Sequence, residues 1–224
     1  MPDYIKKLIA EGEHQMLDFK FEISDFRKIA RTLVAFANTD GGRLLVGVKD
    51  NGAIAGVRSE EEFFMVEGAS RLYCRPEIPV KIRQWNVDGK TVLEVVIQPG
   101  QDKPYMARDE SDNWLAYIRQ RDENFRACSV ELKLWDKEIS GEGVKIRFGH
   151  AERFLLEHLN SHPWITLSRF RKVAGLGKDK AESVLVNFMM LKVITAEHIE
   201  QDTIYRFRKG YEDILEGIGD GAYI

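Results

Sequence analysis

Two groups of residues in this chain have the types and spacing to meet a phosphate backbone. In the first, Lys103-Pro104-Tyr105 and Tyr117-Ile118-Arg119-Gln120-Arg121 set aromatic and basic side chains close together. Such a mix stacks a base and pairs its phosphate, with Arg119 and Arg121 as the cations. Alternate residues of a strand point to opposite sides, so Tyr117 and Arg119 share a face that excludes Ile118. A sheet with a solvated basic edge has the same pattern. In the second group, Lys178, Lys180 and Ser183 open a predicted helix. Arg169, Arg171 and Lys172 lie on the short helix before it, and Arg206 and Arg208 on a strand after it. A helix entering the major groove by its N-terminal turns would reach base edges with Lys178, Lys180 and Ser183. The other basic residues would then meet phosphates. Asp179 and Glu182 interrupt that surface and would repel the backbone, and modules of this kind also bind proteins. A third place, Asn38-Thr39-Asp40-Gly41-Gly42, has two readings. Its amides could hold a phosphate, or the loop could cap a helix and free the chain to turn into a buried strand.

The elements that must position these residues follow from periodicity. A short helix is predicted over about 3–11. Residues 14–23 then alternate, with Leu17, Phe19 and Phe21 on the apolar side of a half-buried strand. Ser24 or Asp25 caps a helix with Phe26, Ile29, Ala30, Leu33 and Ala37 on one face and Arg27, Lys28 and Arg31 opposite. Gly41-Gly42 ends it, 44–48 is apolar enough for a central strand, and Asp50-Asn51-Gly52 turns into a short strand over 53–57. An acid-rich helix starts near Ser59 and runs to about Leu72. Strands over 80–87 and 91–98 flank the hairpin signal Asp88-Gly89-Lys90. Another strand covers 115–119, and Ser129 caps a helix to about Lys137.

Ile139-Ser140-Gly141-Glu142-Gly143 breaks the periodicity as a linker does. Beyond it, Ala151, Phe154, Leu155, His158 and Leu159 mark a helix ended by Pro163. Residues 166–174, Gly175-Leu176-Gly177 and 178–191 read as helix, turn and helix, and 193–195 with 203–208 as a hairpin. That order spells a winged helix-turn-helix. The predicted fold class is α+β, with a mixed-sheet domain over 1–138, a winged helix over 149–209 and a tail over 210–224.

Composition narrows the function classes. With 44% hydrophobic and 31% charged residues, the 224-residue chain can build a core and is not a disordered one. No apolar run approaches the roughly 20 residues of a membrane span, and the N-terminus lacks a signal-peptide layout, so a cytoplasmic protein is expected. Cys74 and Cys128 have no CxxC partner and read as reduced thiols. A net charge of −3 argues against a basic, non-specific nucleic-acid coat. Residues 149–209 nevertheless hold ten Lys/Arg against seven Asp/Glu. There is no GxxxxGK[ST] loop for a nucleotide.

Four ordered blocks carry a family resemblance. They are Glu13 with Leu17-Asp18-Phe19-Lys20, then Ala35-Phe36-Ala37-Asn38-Thr39-Asp40-Gly41-Gly42, then Gly47-Val48-Lys49-Asp50, and last Lys103-Pro104-Tyr105 with Ala116-Tyr117-Ile118-Arg119. Across about residues 8–125 the chain resembles the AlbA_2 domain, the nucleic-acid-associated module of bacterial transcriptional regulators and Schlafen proteins. The resemblance implies a mixed-sheet fold and a nucleic-acid partner, DNA first and RNA second. In Schlafen relatives, three acids at positions like these hold a divalent metal and support RNA cleavage. Carried over residue by residue, they are Glu13, Asp18 and Asp50, which implies a Mg²⁺- or Mn²⁺-dependent nuclease as an alternative. Clustered carboxylates hold such an ion, which polarises the phosphate and activates water. The family usually shows Glu at the place of Asp18 and an acid at the place of Lys49, and Lys49 could salt-bridge the acids instead. Glu13 and Asp18 are an odd number apart, so they converge only if Glu13 sits in the turn before the strand. Three solvated or salt-bridged acids are the simpler reading.

The leading expectation is a bacterial, sequence-specific DNA-binding protein, a transcriptional regulator without a cofactor. It is expected to be a homodimer that reads two half-sites, with Ile214, Leu215 and Ile218 of the tail against a partner chain. A metal-dependent nuclease and a protein-interaction adaptor are the alternatives.

Overall fold

The computed structural model describes residues 2–141, 143–200 and 202–211. Its contacts divide the chain into two units, with the break after Ala127.

The first unit runs α1 (Pro2–Glu11), β1 (Leu17–Lys20), α2 (Phe26–Asn38), β2 (Gly42–Val46), α3 (Glu61–Leu72), β3 (Cys74–Arg75), β4 (Val80–Val87), β5 (Lys90–Ile97), β6 (Met106–Arg108), β7 (Trp114–Gln120) and β8 (Glu123–Arg126). One sheet has the order β1-β2-β5-β4, with β1 parallel to β2 and the other pairs antiparallel. A second, antiparallel sheet has the order β3-β6-β7-β8. Helix α2 shares one core with both: Leu33 and Phe36 cluster with Leu44, Val46 and Val95 of the first sheet and with Ala107 and Tyr117 of the second. That is why α2 is buried almost all round from Ile29 to Asn38, where the sequence showed a single apolar face. Only its start stays amphipathic, and Asp25 caps it by accepting from the Arg27 N–H at 2.8 Å. The other face of the first sheet packs Leu17, Phe19, Leu45 and Val92 on Ile5 of α1. Each fully buried side chain of this size contributes about 1.5–3 kcal/mol.

Two sequence-based elements come out shorter. β1 stops at Lys20, whose carbonyl accepts from the Gly47 and Val48 N–H groups, and Phe21 beyond it is exposed. The strand expected over 53–57 shrinks to one bridge between Val48 and Ile54.

The second unit holds α4 (Ser129–Ser140), α5 (His150–Ser161), β9 (Ile165–Thr166), α6 (Leu167–Val173), α7 (Lys178–Met190), β10 (Ile194–Ile199) and β11 (Asp202–Phe207), with sheet order β10-β11-β9. Its core gathers Leu155, Leu156, Phe170, Val184, Leu185, Phe188 and Tyr205. The expected break at 139–149 moves to 127/128, because α4 belongs to this core: Val130 is fully buried in it, and Glu131 meets the buried His198 at 3.0 Å. The tail residues Ile214, Leu215 and Ile218 lie outside the described residues.

Both cysteines are free. Burial pushes the Cys74 thiol, 3.8 Å from the Ala30 carbonyl, up to about 12. Burial and then the Glu131 carboxylate also raise Cys128, which sits 3.6 Å from the Tyr205 hydroxyl. Among the described residues no helix is long and apolar enough to cross a membrane.

Candidate nucleic-acid interface

Three acids decide between binding and cutting. Reciprocal bonds between His14 and Leu17, at 2.9 and 3.1 Å, close a turn just before β1. The chain doubles back there, and Glu13 accepts from the Phe19 N–H at 2.8 Å. Glu13 therefore reaches Asp18 from the turn. Burial raises its pKa, and the neighbouring Asp18 carboxyl adds to the rise while the Phe19 N–H opposes it.

Asp18 is already engaged. It is 3% exposed, pairs with Arg119 Nη2 at 3.2 Å, and has Lys20 Nζ 2.8 Å from its other oxygen. Lys20 is two residues on, so a period of two puts it on the same side of the strand, a pairing already present in the alternation of residues 14–23. Asp18 is paired in register with Leu44 and faces the α2 side of the sheet. Asp50 instead lies in an exposed turn that meets Ile9 of α1 through Gly52. Lys49 leaves the acids alone and lies over the Phe21 ring at 5.4 Å. Among the described residues no three His, Cys, Asp or Glu group as a metal site. The acids fit Mg²⁺ or Mn²⁺ poorly: Asp18 already carries the buried Arg119 and the half-exposed Lys20, and Asp50 does not group with Glu13 and Asp18.

Arg119 corrects the expectation of an exposed basic edge. It is 2% exposed. Its guanidinium donates to Asp18, to the carbonyls of His14 and Leu17, and to Asn124 Oδ1, all at 3.2–3.3 Å, and lies over the Phe36 ring. The cause is that β7 is an interior strand, flanked by β6 and β8 and packed on α2. Tyr117 is buried for the same reason, and Tyr105, just before β6, is buried in the shared core with its ring against Gly100, so neither offers an open ring to a base. Arg121, by contrast, is exposed in the turn after β7.

The Asn38–Gly42 loop resolves toward the cap. Asn38 donates to the carbonyls of Tyr105 and Tyr117 and accepts from the Tyr105 N–H, each at 2.8 Å and buried. The Thr39 and Gly41 N–H groups both go to the Phe36 carbonyl, so neither is free for a phosphate. Gly42 has no room for a side chain, because a Cβ would lie 2.5 Å from the Phe36 ring. No pattern around Asn38 signals in sequence that it ties α2 to the second sheet.

In the second unit the cations expected at DNA divide into two sets. Lys180 pairs with buried Glu152 at 2.9 Å, Lys178 lies 3.8 Å from Glu182, and Ser183 turns back to the Asp179 carbonyl. Hydrogen bonds from Lys180 and Gly149 hold Glu152 low against the burial that would raise it. Arg206 pairs with Glu197 at 2.8 Å. Arg169, Arg171, Lys172 and Arg208 are exposed without an ion pair among the described residues.

Helix α7 does not present a free outer side. Val186 and Glu182 are 3% and 1% exposed, although they lie away from Ala181, Val184, Leu185 and Phe188. Helix α4 covers them: Ser129 and Lys133 bond Glu182, Lys133 also pairs with Asp179, and Lys137 bonds Asn187. Glu182 is therefore turned inward and neutralised, not aimed at a phosphate backbone. Lys178, Lys180 and Ser183 stay exposed at the N-terminal end.

Among solved structures the chain is similar to the DIP2311 protein of Corynebacterium diphtheriae, at 17% identity and a TM-score of 0.44 over 82% of this chain and 35% of that one. It thus spans about a third of that protein's length. It is also similar to the N-terminal domain of a RecG-related protein from Nitrosomonas europaea, at 24% identity and a TM-score of 0.40, over 56% of this chain and 91% of that domain. No curated protein matches the chain. The family model described as Schlafen, AlbA_2 matches residues 13–128, just over half of the sequence, and the chain belongs to that nucleic-acid-associated family.

Proposed function

We propose that this chain is a DNA-binding protein acting as a transcriptional regulator. In this reading its second unit is a winged helix that meets DNA through α6 and the N-terminal end of α7. The observation that carries it is the element order α5–β9–α6–α7–β10–β11 with the sheet order β10-β11-β9, the order of a helix-turn-helix with its wing. Charge availability ranks the contacts. Arg169, Arg171 and Lys172 bring positive charge that no carboxylate among the described residues offsets, with Arg208 on the hairpin. Lys178 and Lys180 bring charge already shared with Glu182 and Glu152. The cover of α4 on α7 favours shallow contact over insertion of the whole helix.

The test is a titration of labelled duplex DNA across a salt series, with and without Mn²⁺. Binding is expected to weaken steeply with salt, and removing one phosphate-binding cation should flatten the log–log slope by about 0.9. Arg171→Glu/Lys172→Glu should cost more affinity than Lys178→Glu/Lys180→Glu. A random duplex pool should enrich one motif. Salt-insensitive or absent binding refutes DNA recognition in favour of a protein adaptor, and binding without an enriched motif refutes the regulator. Mn²⁺-dependent cleavage lost in Asp50→Asn would make the chain a nuclease.

A further inference from the structure

We propose that the first unit holds a single nucleic-acid strand on one face of the β1-β2-β5-β4 sheet. Its phosphates lie on Lys81, Arg83 and Arg43, and one unstacked base enters a neighbouring cavity. Strand register places the cations. Arg43 and Lys81 both pair with Val96 of β5, one from each side, so the three form one row across the sheet. Arg83 pairs with Glu94 and stands two residues from Lys81, on the same side of β4. The backbones that carry the cations are therefore about 7 to 10 Å apart. This is the face on which Leu45 and Val92 meet Ile5 of α1. Helix α1 covers its Trp85 end, where Tyr4 lies 5.2 Å from the Trp85 ring, and Lys81 and Arg83 stay exposed.

Charge and shape select the occupant. Glu94 is the carboxylate beside Arg83, but it is 1% exposed and already engaged. It accepts from the Tyr4 hydroxyl at 2.6 Å and Trp85 Nε1 at 3.0 Å, with Arg43 Nε 3.2 Å away. Lys81 and Arg83 are left without an ion pair among the described residues, and Arg43 keeps 40% of its side chain exposed. A row of cations suits the repeating phosphates of a strand, where one small anion would use a single member. Lys81 and Val96 also line a cavity of about 290 Å³, with Pro79 and Pro99 as further apolar wall and Gln101 and Asp102 as polar groups. That volume is at the small end of ligand pockets and suits one ring system. Asp102 repels a phosphate but accepts from a base amino group. The base therefore turns inward and the backbone stays outside on Lys81. A duplex keeps its bases paired and stacked, whereas a single strand offers them unstacked.

Fluorescence anisotropy of the full chain with a labelled single strand of about twelve nucleotides, as DNA and as RNA, tests this across a salt series. Binding of at least one of the two is expected, and the tighter one names the preferred strand. Lys81→Gln/Arg83→Gln removes two cations, so it should lower the log–log salt slope by about 1.4 and weaken binding about 25-fold near 0.1 M salt. Both side chains are exposed, so the unit should stay folded, which circular dichroism verifies. A 2-aminopurine in the strand should brighten on binding as it leaves the stack, and Val96→Phe, which narrows the cavity, should suppress that change. No single-strand binding overturns the proposal, as does binding indifferent to Lys81→Gln/Arg83→Gln. An unchanged 2-aminopurine signal in the native chain, or displacement of the strand by an equimolar mononucleotide, also overturns it. Lys81→Gln/Arg83→Gln should leave the duplex titration unchanged, and Arg171→Glu/Lys172→Glu should leave the single-strand titration unchanged, so either reading can fail alone.

Discussion

Replacing Arg119 by methionine keeps much of the stem's bulk and removes the buried cation. In the native chain that guanidinium is 1% exposed and bonds Asp18, Asn124 and two backbone carbonyls. The variant leaves Asp18, 4% exposed by side chain, with Lys20 as its remaining counter-ion. Removing one partner of a buried pair costs about 3–5 kcal/mol. Methionine over the Phe36 ring returns part of the packing, so a net loss of about 3 kcal/mol is expected. In a unit of this size that lowers Tm by roughly 10 °C. Urea unfolding and thermal melts of the full chain measure it, with the duplex titration run beside them. Stability should fall while duplex affinity, measured below the melt, stays unchanged. A variant that loses less than about 1 kcal/mol but binds DNA poorly would refute the reasoning and return Arg119 to the interface. Adding Asp18→Leu should recover part of the loss, with a coupling of about 1–3 kcal/mol.

Asn38→Asp swaps two buried donors for acceptors facing the Tyr105 and Tyr117 carbonyls, and is expected to cost about 2–4 kcal/mol in the same melts. Glu13 has a raised folded pKa, so the stability it contributes is complete below its ordinary 4.5 and is lost as pH rises through the folded value. Glu13→Gln keeps an acceptor for Phe19 and offers Asp18 a donor; it should raise Tm near pH 7 and flatten the profile above about pH 4, and an unchanged profile contradicts it. Mn²⁺ at about 1 mM should leave Tm where it is, because a bound ion would add RT ln(1 + [L]/Kd); a rise of several degrees would show that the acids do hold metal.

Sequence periodicity found the longer elements because each buries a face whose period is visible, as in α1, α2, α3 and the β4–β5 hairpin. It missed β3, β6, β8 and β9, which span two to four residues and pair through backbone groups with too few side chains to show a period. The linker reading failed at α4 for another reason. Glycines at 141 and 143 do mark a break in the chain, but which core a helix joins depends on distant partners, here Glu182 and His198. The site divided along the same line. The turn that brings Glu13 to Asp18 could be derived as a condition from parity alone. The burial of Arg119 could not, since Arg119 and Asp18 meet across 101 residues. A basic residue on a strand looks the same in sequence whether it faces water or a buried carboxylate.

The two cysteines give the molecule a built-in pair of clocks. Each unit holds one thiol, Cys74 in the first and Cys128 in the second, and in both burial disfavours the thiolate that alkylating reagents attack. Labelling of buried Cys74 therefore waits for a local opening, whereas half-buried Cys128 is reachable and is slowed by its small thiolate fraction. Mass spectrometry of the two cysteine peptides over one time course would time the opening of the first unit against the second cysteine as an internal reference, in the intact chain and without a truncation or a dye.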